Sequence, residues 1–335
     1  MKHSLTIKKI LFKSGVMALV RKVTNPANDV AILRYHAIVD PEKNFYASPS
    51  ICIRPDVFSE QIKYISSHYN VISLDTVADC IETNTPFPDN AVVITFDDGY
   101  KDNFYASKIL KKYNVTGTFY IASDCIGANS VFWLFEIIYL LKNTSKKSIF
   151  VKLDKDEKVL PLATADQRQA SIRDVVVLIK SNNRLFREEI RKQIQDQTKD
   201  VTDFMDKSRL VMLTWDQVNE MHQDGMTIGG HTMTHLNLPN ADPDDAFDEI
   251  YDCKKLIENK INTTVDHFSY PNGGNYDYYN SKIVQMVKKA GYRTATTSIN
   301  GVSNRQTDLF ELERIRITPN LAEIVYQIDC EKLFN

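Results

Sequence analysis

The 335-residue sequence predicts an α/β fold in which helices surround a parallel, barrel-like sheet. The first observation is a regular alternation of short apolar runs with segments of helical periodicity. The second is that several runs, such as AVVITF at 91–96, are apolar throughout, which is typical of parallel strands covered on both faces. The third is the chain length, which is ordinary for one α/β barrel.

Eight short apolar runs are predicted to be strands: 30–35, 70–74, 91–96, 115–121, 226–230, 265–271, 293–298 and 314–317. The segments between them that have helical patterns are 54–68, 101–113, 214–225, 244–261 and 279–292. The helix at 214–225 has the clearest boundaries, because Thr214 and Gln217 have capping-box spacing and Gly225 follows the last turn.

Residues 126–212 interrupt the alternation with mostly helical, polar patterns and one large apolar patch, VFWLFEIIYLL at 131–141. We interpret this region as a helical insertion within a single domain that spans 28–335. The aromatic patch is expected to be core, and contact with a substrate groove is the alternative.

The first 22 residues contain six lysines or arginines and no acidic residue. Residues 1–27 are therefore predicted to form a basic amphipathic segment, which favours a peripheral contact of 1–22 with an anionic membrane. A helix that covers the bottom of the barrel and a frayed terminus are the alternatives. Because no clear export signal is present, we expect a cytoplasmic protein, in contact with the inner membrane face.

The net charge of −2 gives no reason to expect a nucleic-acid partner. The five cysteines are scattered, and no CxxC pair occurs among them. The sequence therefore indicates neither a disulfide framework nor a thiolate zinc site, and a reducing compartment is expected.

Two acidic residues follow one predicted strand directly, in the segment ITFDDGY at 94–100. Active sites of parallel α/β folds form at the carboxyl ends of strands, where Asp97 and Asp98 lie. Neighbouring carboxylates repel each other, and a bound cation would relieve that repulsion. A helix N-cap or an ordinary turn at Gly99 is the alternative.

Two histidines, His231 and His235, lie four residues apart after the predicted strand at 226–230. If this segment turns helically, both imidazoles face one side and can share a metal ion, although a buried histidine often only satisfies a hydrogen bond. One aspartate with two histidines suits a divalent ion that keeps open positions for water. The spare carboxylate could then act as a base on that water.

The motifs TFDDG at 95–99 and HTMTH at 231–235 resemble two signatures of the polysaccharide deacetylase family, which has the NodB homology domain. The resemblance covers most of residues 28–320 apart from the insertion, and it implies a distorted (β/α)₇ barrel. It implies that Asp97 is the general base and that Asp98, His231 and His235 bind one divalent metal ion. Zn²⁺ is the first choice, and Co²⁺, Ni²⁺, Mn²⁺ or Fe²⁺ could also serve.

The third family signature, R-x-P-[YF], is only partly present in SYPNGG at 269–274. Ser269 stands where the family has arginine, and Asn272 stands where it has an aromatic residue. The backbone N–H of Asn272 is still expected to hold the oxyanion, with Tyr270 beside it at the substrate. Arg314 is expected to replace the missing arginine by pairing with Asp97, and a surface ion pair is the alternative.

The late histidine that serves the family as general acid is absent from this chain. LRYHAI at 33–38 instead resembles the YH motif of the permuted branch, which acts on poly-N-acetylglucosamine and related glycans. This resemblance implies that His36 is the acid, because imidazolium can protonate a leaving amine near neutral pH. A core histidine is the alternative.

These features together predict a metal-dependent de-N-acetylase that removes acetyl from an N-acetylhexosamine unit of a glycan or a lipid-linked glycan precursor. A secreted or capsular polymer is the rival substrate. A glycan O-acetyl esterase and an inactive glycan-binding barrel are the alternative functions.

Overall fold

The structure is a computed structural model that describes residues 4–23, 28–128, 130–153, 156–273 and 277–330. Residues 1–3 and 24–27 of the predicted N-terminal segment, and Gly274 of the SYPNGG motif, lie outside these ranges.

The strands of the described chain are β1 (Asp29–Tyr35), β2 (Asn70–Val71), β3 (Ala91–Phe96), β4 (Thr118–Ile121), β5 (Ser148–Lys152), β6 (Glu157–Pro161), β7 (Thr227–Gly230), β8 (His267–Ser269), β9 (Thr294–Thr296), β10 (Ser303–Asn304) and β11 (Ile315–Arg316). The helices are α1 (Leu5–Lys13), α2 (Val16–Val23), α3 (Pro55–His68), α4 (Leu74–Glu82), α5 (Asn103–Lys112), α6 (Trp133–Asn143), α7 (Ala165–Lys180), α8 (Arg184–Gln197), α9 (Phe204–Ser208), α10 (Trp215–Gln223), α11 (Pro243–Ile261), α12 (Ser281–Lys289) and α13 (Leu321–Asp329).

The main sheet is a curled set of parallel strands, as the sequence predicted. Within the described ranges, eight strands of this sheet are parallel: seven follow the order β11-β1-β3-β4-β7-β8-β9, and β2 pairs with β3. Strand β10 pairs with β1 in the antiparallel direction. The two ends approach each other, because Thr296 of β9 forms a parallel bridge with Leu312, just before β11. All six residues of β3 are buried, which explains why this run is apolar throughout.

The two faces of the sheet pack against different layers. On β1, Leu33 and Tyr35 join the core between the sheet and its helices, whereas Ile32 packs in a separate cluster with Tyr120 and helix α4. Because side chains alternate along a strand, residues 34 and 36 share the inner face with Ile32. The inner face at the carboxyl ends of the strands is where the candidate site lies.

Two helices were missed by the sequence prediction. The predicted strand at 70–74 ends at Val71, and α4 begins at Leu74 because the Ser73 side chain accepts a hydrogen bond from the Thr76 backbone N–H. Helix α13, near the C-terminus, was also not predicted.

The insertion, predicted to be mostly helical, contains a pair of strands besides its helices. Strands β5 and β6 form an antiparallel pair, and their buried residues Ile149, Val151 and Leu160 pack with α7 and α8 in a core of their own. Helix α6 joins this core to the barrel, because Ile137 packs in the insertion and Phe135 packs in the main core. The aromatic patch at 131–141 is therefore mainly core.

Helices α1 and α2 pack on α13, where Met17 joins Val325 and Tyr326 in a small apolar cluster. The buried guanidinium of Arg21 forms an ion pair of 2.8 Å with Asp329. Other apolar side chains of the pair face outward, and Ile10 and Leu19 are 60% and 61% exposed. In the described ranges, the helices are all too short or too polar to cross a bilayer.

Candidate active site

The candidate site lies at the carboxyl ends of three parallel strands of the main sheet, β1, β3 and β7. Asp97 and Asp98 follow β3, His36 follows β1, and His231 follows β7. Parallel strands bring these ends to one edge of the sheet, so residues that are far apart in the sequence meet there.

Asp98, His231 and His235 form a buried cluster that could hold a metal ion. One ligand atom from each of the three residues lies within 4.8 Å of the other two. The Oδ1 atom of Asp98 is 3.4 Å from Nε2 of His231 and 3.4 Å from Nε2 of His235. Burial alone would raise the pKa of Asp98, but its hydrogen bonds to the two histidines hold that pKa well below the usual range.

The protein orients His231 for binding a metal ion through Nε2. Its Nδ1 atom is 2.7 Å from the backbone carbonyl oxygen of Ser269, so Nδ1 carries the proton and Nε2 keeps a free lone pair. Burial lowers the pKa of His235, which also favours the neutral, metal-binding imidazole. The donor set of one carboxylate and two neutral imidazoles therefore fits a divalent ion such as Zn²⁺.

Several residues of the site adopt a left-handed backbone conformation. The φ angles of Asp98, Thr232, His235 and Asn272 are +78°, +63°, +56° and +76°. This conformation costs about 1–2 kcal/mol for most residues other than glycine, and the cost is largest for a β-branched residue such as Thr232. The surrounding contacts therefore hold these loops in a left-handed backbone conformation that the isolated segments would not keep.

Asp97 is held by Arg314, as the sequence analysis expected. Nη1 and Nη2 of Arg314 donate to Oδ1 and Oδ2 of Asp97, each at 2.7 Å. Nη2 also donates to Ser269 Oγ at 3.0 Å. Ser269 thus leaves room for an arginine that arrives from another strand. Burial raises the pKa of Asp97, but the charge and hydrogen bonds of Arg314, together with the charges of His231 and His36, outweigh it and lower that pKa to about 2.

His36 lies beside Asp97, with Nε2 at 3.8 Å from Oδ2. The Asn103 side chain fixes its backbone by donating a hydrogen bond of 2.8 Å to the His36 carbonyl oxygen. Burial lowers the pKa of His36 to about 4, against the opposing charges of Asp98 and Asp97. The resting imidazole is therefore neutral at pH 7 and must gain a proton before it can donate one.

Asn272 and Tyr270 were predicted at the substrate, but only Asn272 lines the pocket. Its backbone N–H has no partner among the described residues, so it is available as a donor. The placement of Tyr270 is a correction, since it is fully buried in the outer core and its hydroxyl donates to the Phe310 carbonyl at 3.0 Å. Strand alternation explains this, because Ser269 faces the site and Tyr270 must face away.

Two buried charged residues that the sequence analysis missed hold the loop with both histidines. Arg187 of α8 donates to the Thr234 hydroxyl at 2.8 Å and to its carbonyl oxygen at 3.2 Å. Glu249 of α11 accepts from the Thr234 backbone N–H at 2.8 Å. Neither residue has a sequence signal of its own, because each reaches the loop only through tertiary packing.

The site opens into a pocket of about 450 Å³. One wall is the barrel mouth with Asp97, Asp98 and both cluster histidines, and the other wall belongs to insertion helices α6 and α7. The insertion also touches the cluster directly, since the Trp133 indole N–H donates to the His235 carbonyl oxygen at 3.4 Å.

Comparison with known proteins places this geometry in a family. The family model described as polysaccharide deacetylase matches residues 84–295. YxkH of Bacillus subtilis (strain 168) is 33% identical over 110 residues, which are 33% of this chain and 38% of that protein. The peptidoglycan-N-acetylglucosamine deacetylase of Bacillus cereus is 32% identical over 81 residues, 24% of this chain and 36% of that one. The matches thus span well under half of either curated relative.

Solved structures share the fold at low sequence identity. The Streptococcus pyogenes deacetylase PplD in complex with acetate has a TM-score of 0.57 at 22% identity, over 90% of this chain and 98% of that one. IcaB from Ammonifex degensii has a TM-score of 0.57 at 14% identity, again over 90% and 98%. With a family model that matches more than half of its length, the chain belongs to the polysaccharide deacetylase family.

Proposed function

We propose that this protein is a metal-dependent de-N-acetylase that removes acetyl from an N-acetylhexosamine unit of a glycan or a lipid-linked glycan precursor. The observation that carries the proposal is the side-by-side placement of two differently held carboxylates. Asp98 faces the two histidines of the metal-binding cluster, and Asp97 faces Arg314. The two acids therefore have separate roles, one as a metal ligand and one as a base.

A divalent ion held by Asp98, His231 and His235 would polarise the acetyl carbonyl and activate a water molecule. Asp97 remains ionised at neutral pH, so it can accept the proton of the attacking water. The backbone N–H of Asn272 donates to the oxygen that becomes negatively charged.

The leaving amine needs a proton, and His36 is the group placed to supply it. His36 lies 3.8 Å from Asp97, a separation that substrate binding can shorten to a hydrogen bond. We propose that the proton taken by Asp97 passes to His36 and then to the amine. The products are acetate and a free amino sugar.

One observation favours a second candidate, a glycan O-acetyl esterase. Burial lowers the pKa of His36 to about 4, so at neutral pH the resting imidazole is neutral and is not in the protonated form that would donate to an amine. An ester leaving group needs protonation less than an amine does, so the same site would cleave esters with less help from His36.

The test is mass detection of products from a panel of N-acetylated and O-acetylated sugars, together with metal analysis of the protein. We expect a loss of about 42 mass units, the replacement of acetyl by hydrogen, on amide-bearing sugars. Asp97→Asn serves as the inactive control. Loss of acetyl only from O-acetylated sugars would favour the esterase, and no product from any metal-loaded sample would favour a binding barrel.

For localisation, we propose a peripheral contact of helices α1 and α2 with the anionic cytoplasmic face of a membrane. The support is the combination of exposed apolar residues, such as Ile10 and Leu19, with a surplus of lysines in the same segment. A lipid-linked substrate would be within reach of an enzyme held there.

A further inference from the structure

The pocket that contains the candidate site is lined by a surplus of positive charge. Among the described residues, five basic side chains line it: Arg34, Lys142, Arg173, Lys180 and Arg316. Its acidic lining consists of Asp97 and Asp98. Asp97 is already paired with Arg314, and Asp98 belongs to the metal-binding cluster, so both carboxylates are engaged within the reaction centre.

Two of these cations lie side by side on neighbouring strands. Arg34 of β1 and Arg316 of β11 are register partners in a parallel pair, so their side chains share the inner face of the barrel. Neither has an ion pair with a described residue, and the Arg316 guanidinium donates instead to the Ser50 carbonyl oxygen at 3.0 Å. Two adjacent like charges without an anion between them are unfavourable.

The hydrogen-bond donors of the Arg34 guanidinium are also not all paired within the described residues. Its Nε atom is buried and has no hydrogen-bond partner among the described residues. Burial and the charges of Arg314 and Arg316 lower the pKa of Arg34 to about 10, although Asp97 opposes them. A buried guanidinium donor costs free energy unless it finds an acceptor, so this atom indicates a missing one.

The insertion contributes cations to the opposite wall. Lys142 near the end of α6 and Arg173 on α7 form no ion pair with any described residue. The acid next to Arg173 is used elsewhere, because Asp174 pairs with Lys158 at 2.9 Å. The pocket thus has basic groups on both walls, with the candidate reaction centre between them.

We propose that the sugar which loses its acetyl group carries a phosphate-type anion, a phosphoryl or pyrophosphoryl group, seated between Arg34, Arg316 and the insertion cations. This inference rests on the function proposed above. A neutral glycan would leave the cations uncompensated, and a single carboxylate would offset only one of them. A phosphate group offers several oxygens and up to two charges, which suits paired guanidinium groups.

The same insertion wall is apolar beside its cations. Leu134, Ile138, Val176 and Val177 line the pocket, and Val177 is 46% exposed. A phosphate-linked sugar could come from a soluble sugar phosphate, a nucleotide sugar or a prenyl pyrophosphate. Only the prenyl compound would also cover this apolar surface.

The experiment compares kcat/KM for N-acetylglucosamine 1-phosphate, UDP-N-acetylglucosamine and farnesyl-pyrophosphoryl N-acetylglucosamine with values for methyl N-acetylglucosaminide and a neutral chitotetraose. We expect at least about tenfold higher values for the phosphate-bearing compounds. Arg316→Gln and Arg173→Gln should each reduce this preference several-fold. Both residues are exposed, so these variants should fold even if Arg34→Gln does not. Arg209→Gln, an exposed arginine outside the pocket, is the matched control and should keep the preference.

Binding by calorimetry separates this inference from the proposed activity. Tighter binding of N-acetylglucosamine 1-phosphate than of N-acetylglucosamine, lost in Arg316→Gln, supports the anion site even if no acetate is released. Equal affinity for both sugars, or a preference for a uronic-acid glycan over the phosphate compounds, overturns it. Efficient deacetylation of neutral glycans with no effect of either arginine change also overturns it but leaves the proposed function standing.

Discussion

Arg314 donates one hydrogen bond of 2.7 Å to each carboxylate oxygen of Asp97, and both side chains are almost completely buried. The pair joins the start of β11 to the end of β3 across the inside of the barrel. It fixes the rotation of the carboxylate and keeps it ionised.

The first prediction concerns this pair. Arg314→Gln should lower kcat/KM about a hundredfold, because Asp97 loses both its orientation and its counter-charge. The pKa of Asp97, about 2 in the intact pair, should rise, so the acid side of the pH–rate profile should move toward neutral pH. Arg314→Lys should recover part of the activity.

Because the native pKa of Asp97 lies below the ordinary 3.8, the stability that this pair adds is present above pH 4 and disappears as the pH falls toward 2. An unchanged pH–rate profile in Arg314→Gln would contradict the assignment of Asp97 as the base.

The second prediction concerns the metal-binding cluster. The protein should bind about one divalent ion per chain, and His231→Ala or Asp98→Ala should reduce the bound metal to a small fraction. Chelation should abolish activity, and Zn²⁺ or Co²⁺ should restore it in the wild type only. Elemental analysis measures this, with His222→Ala, which lies outside the cluster, as the matched histidine control. Full metal content in His231→Ala would rule out this ligand set.

The third prediction separates amide from ester chemistry through His36. His36→Gln should lower turnover of an N-acetylated sugar about 10²- to 10⁴-fold, because the amine then leaves without its proton donor. Turnover of an activated acetyl ester should change about tenfold or less in the same variant. Similar losses on both substrates would indicate that His36 positions the site and does not act as the acid.

The fourth prediction concerns Asp102, which supports the loop after β1 by accepting hydrogen bonds from the Ile38 backbone N–H and the Tyr46 hydroxyl. Burial raises the pKa of Asp102 from 3.8 to about 6. The native state therefore binds this proton more tightly than the unfolded chain does, and stability should fall as the pH rises from about 4 to 6. The change is on the order of 3 kcal/mol.

Asp102→Asn should remove most of this slope. Urea unfolding at several pH values measures it, with Asp206→Asn as an exposed control. A slope that persists in Asp102→Asn would assign the effect to other groups.

The fifth prediction concerns helices α1 and α2. The protein should sediment with phosphatidylglycerol vesicles more than with phosphatidylcholine vesicles, and added salt should weaken the binding. Replacing exposed Ile10 and Leu19 by Asp should abolish it. Leu185→Asp, at a site that is 74% exposed on the insertion, should have no effect. Binding that ignores these changes would leave the helices with only their packing role against α13.

Much of the fold and site followed from local sequence signals. Apolar runs at 91–96 and 226–230 predicted strands, and the acids and histidines that follow them met because parallel strands place their carboxyl ends at one edge. Arg314 was predictable as the partner of Asp97 once Ser269 was seen in place of arginine. Tyr270 was misplaced because the alternation of side chains along β8 was not applied to it.

Other features have no local signal. Arg34 and Arg316 are 282 residues apart in the sequence, and only the register of β1 with β11 makes them neighbours. Arg187 and Glu249 reach Thr234 through the packing of two helices on the histidine loop. The local sequence pattern did not predict the short strands β5 and β6, because their hairpin gains its stability from the insertion core around it.

The contact between Trp133 and the His235 carbonyl, together with the edge-on packing of Phe132 on the His235 ring at 5.6 Å, ties the insertion to the reaction centre. A trimmed protein without residues 126–212 would lose the shield over one side of that imidazole. Water would then reach it, and the loop would have fewer contacts to hold its left-handed turns. The inserted region and the barrel therefore form one functional unit. Exchanging either of them alone would remove the contacts that hold the His235 loop in place.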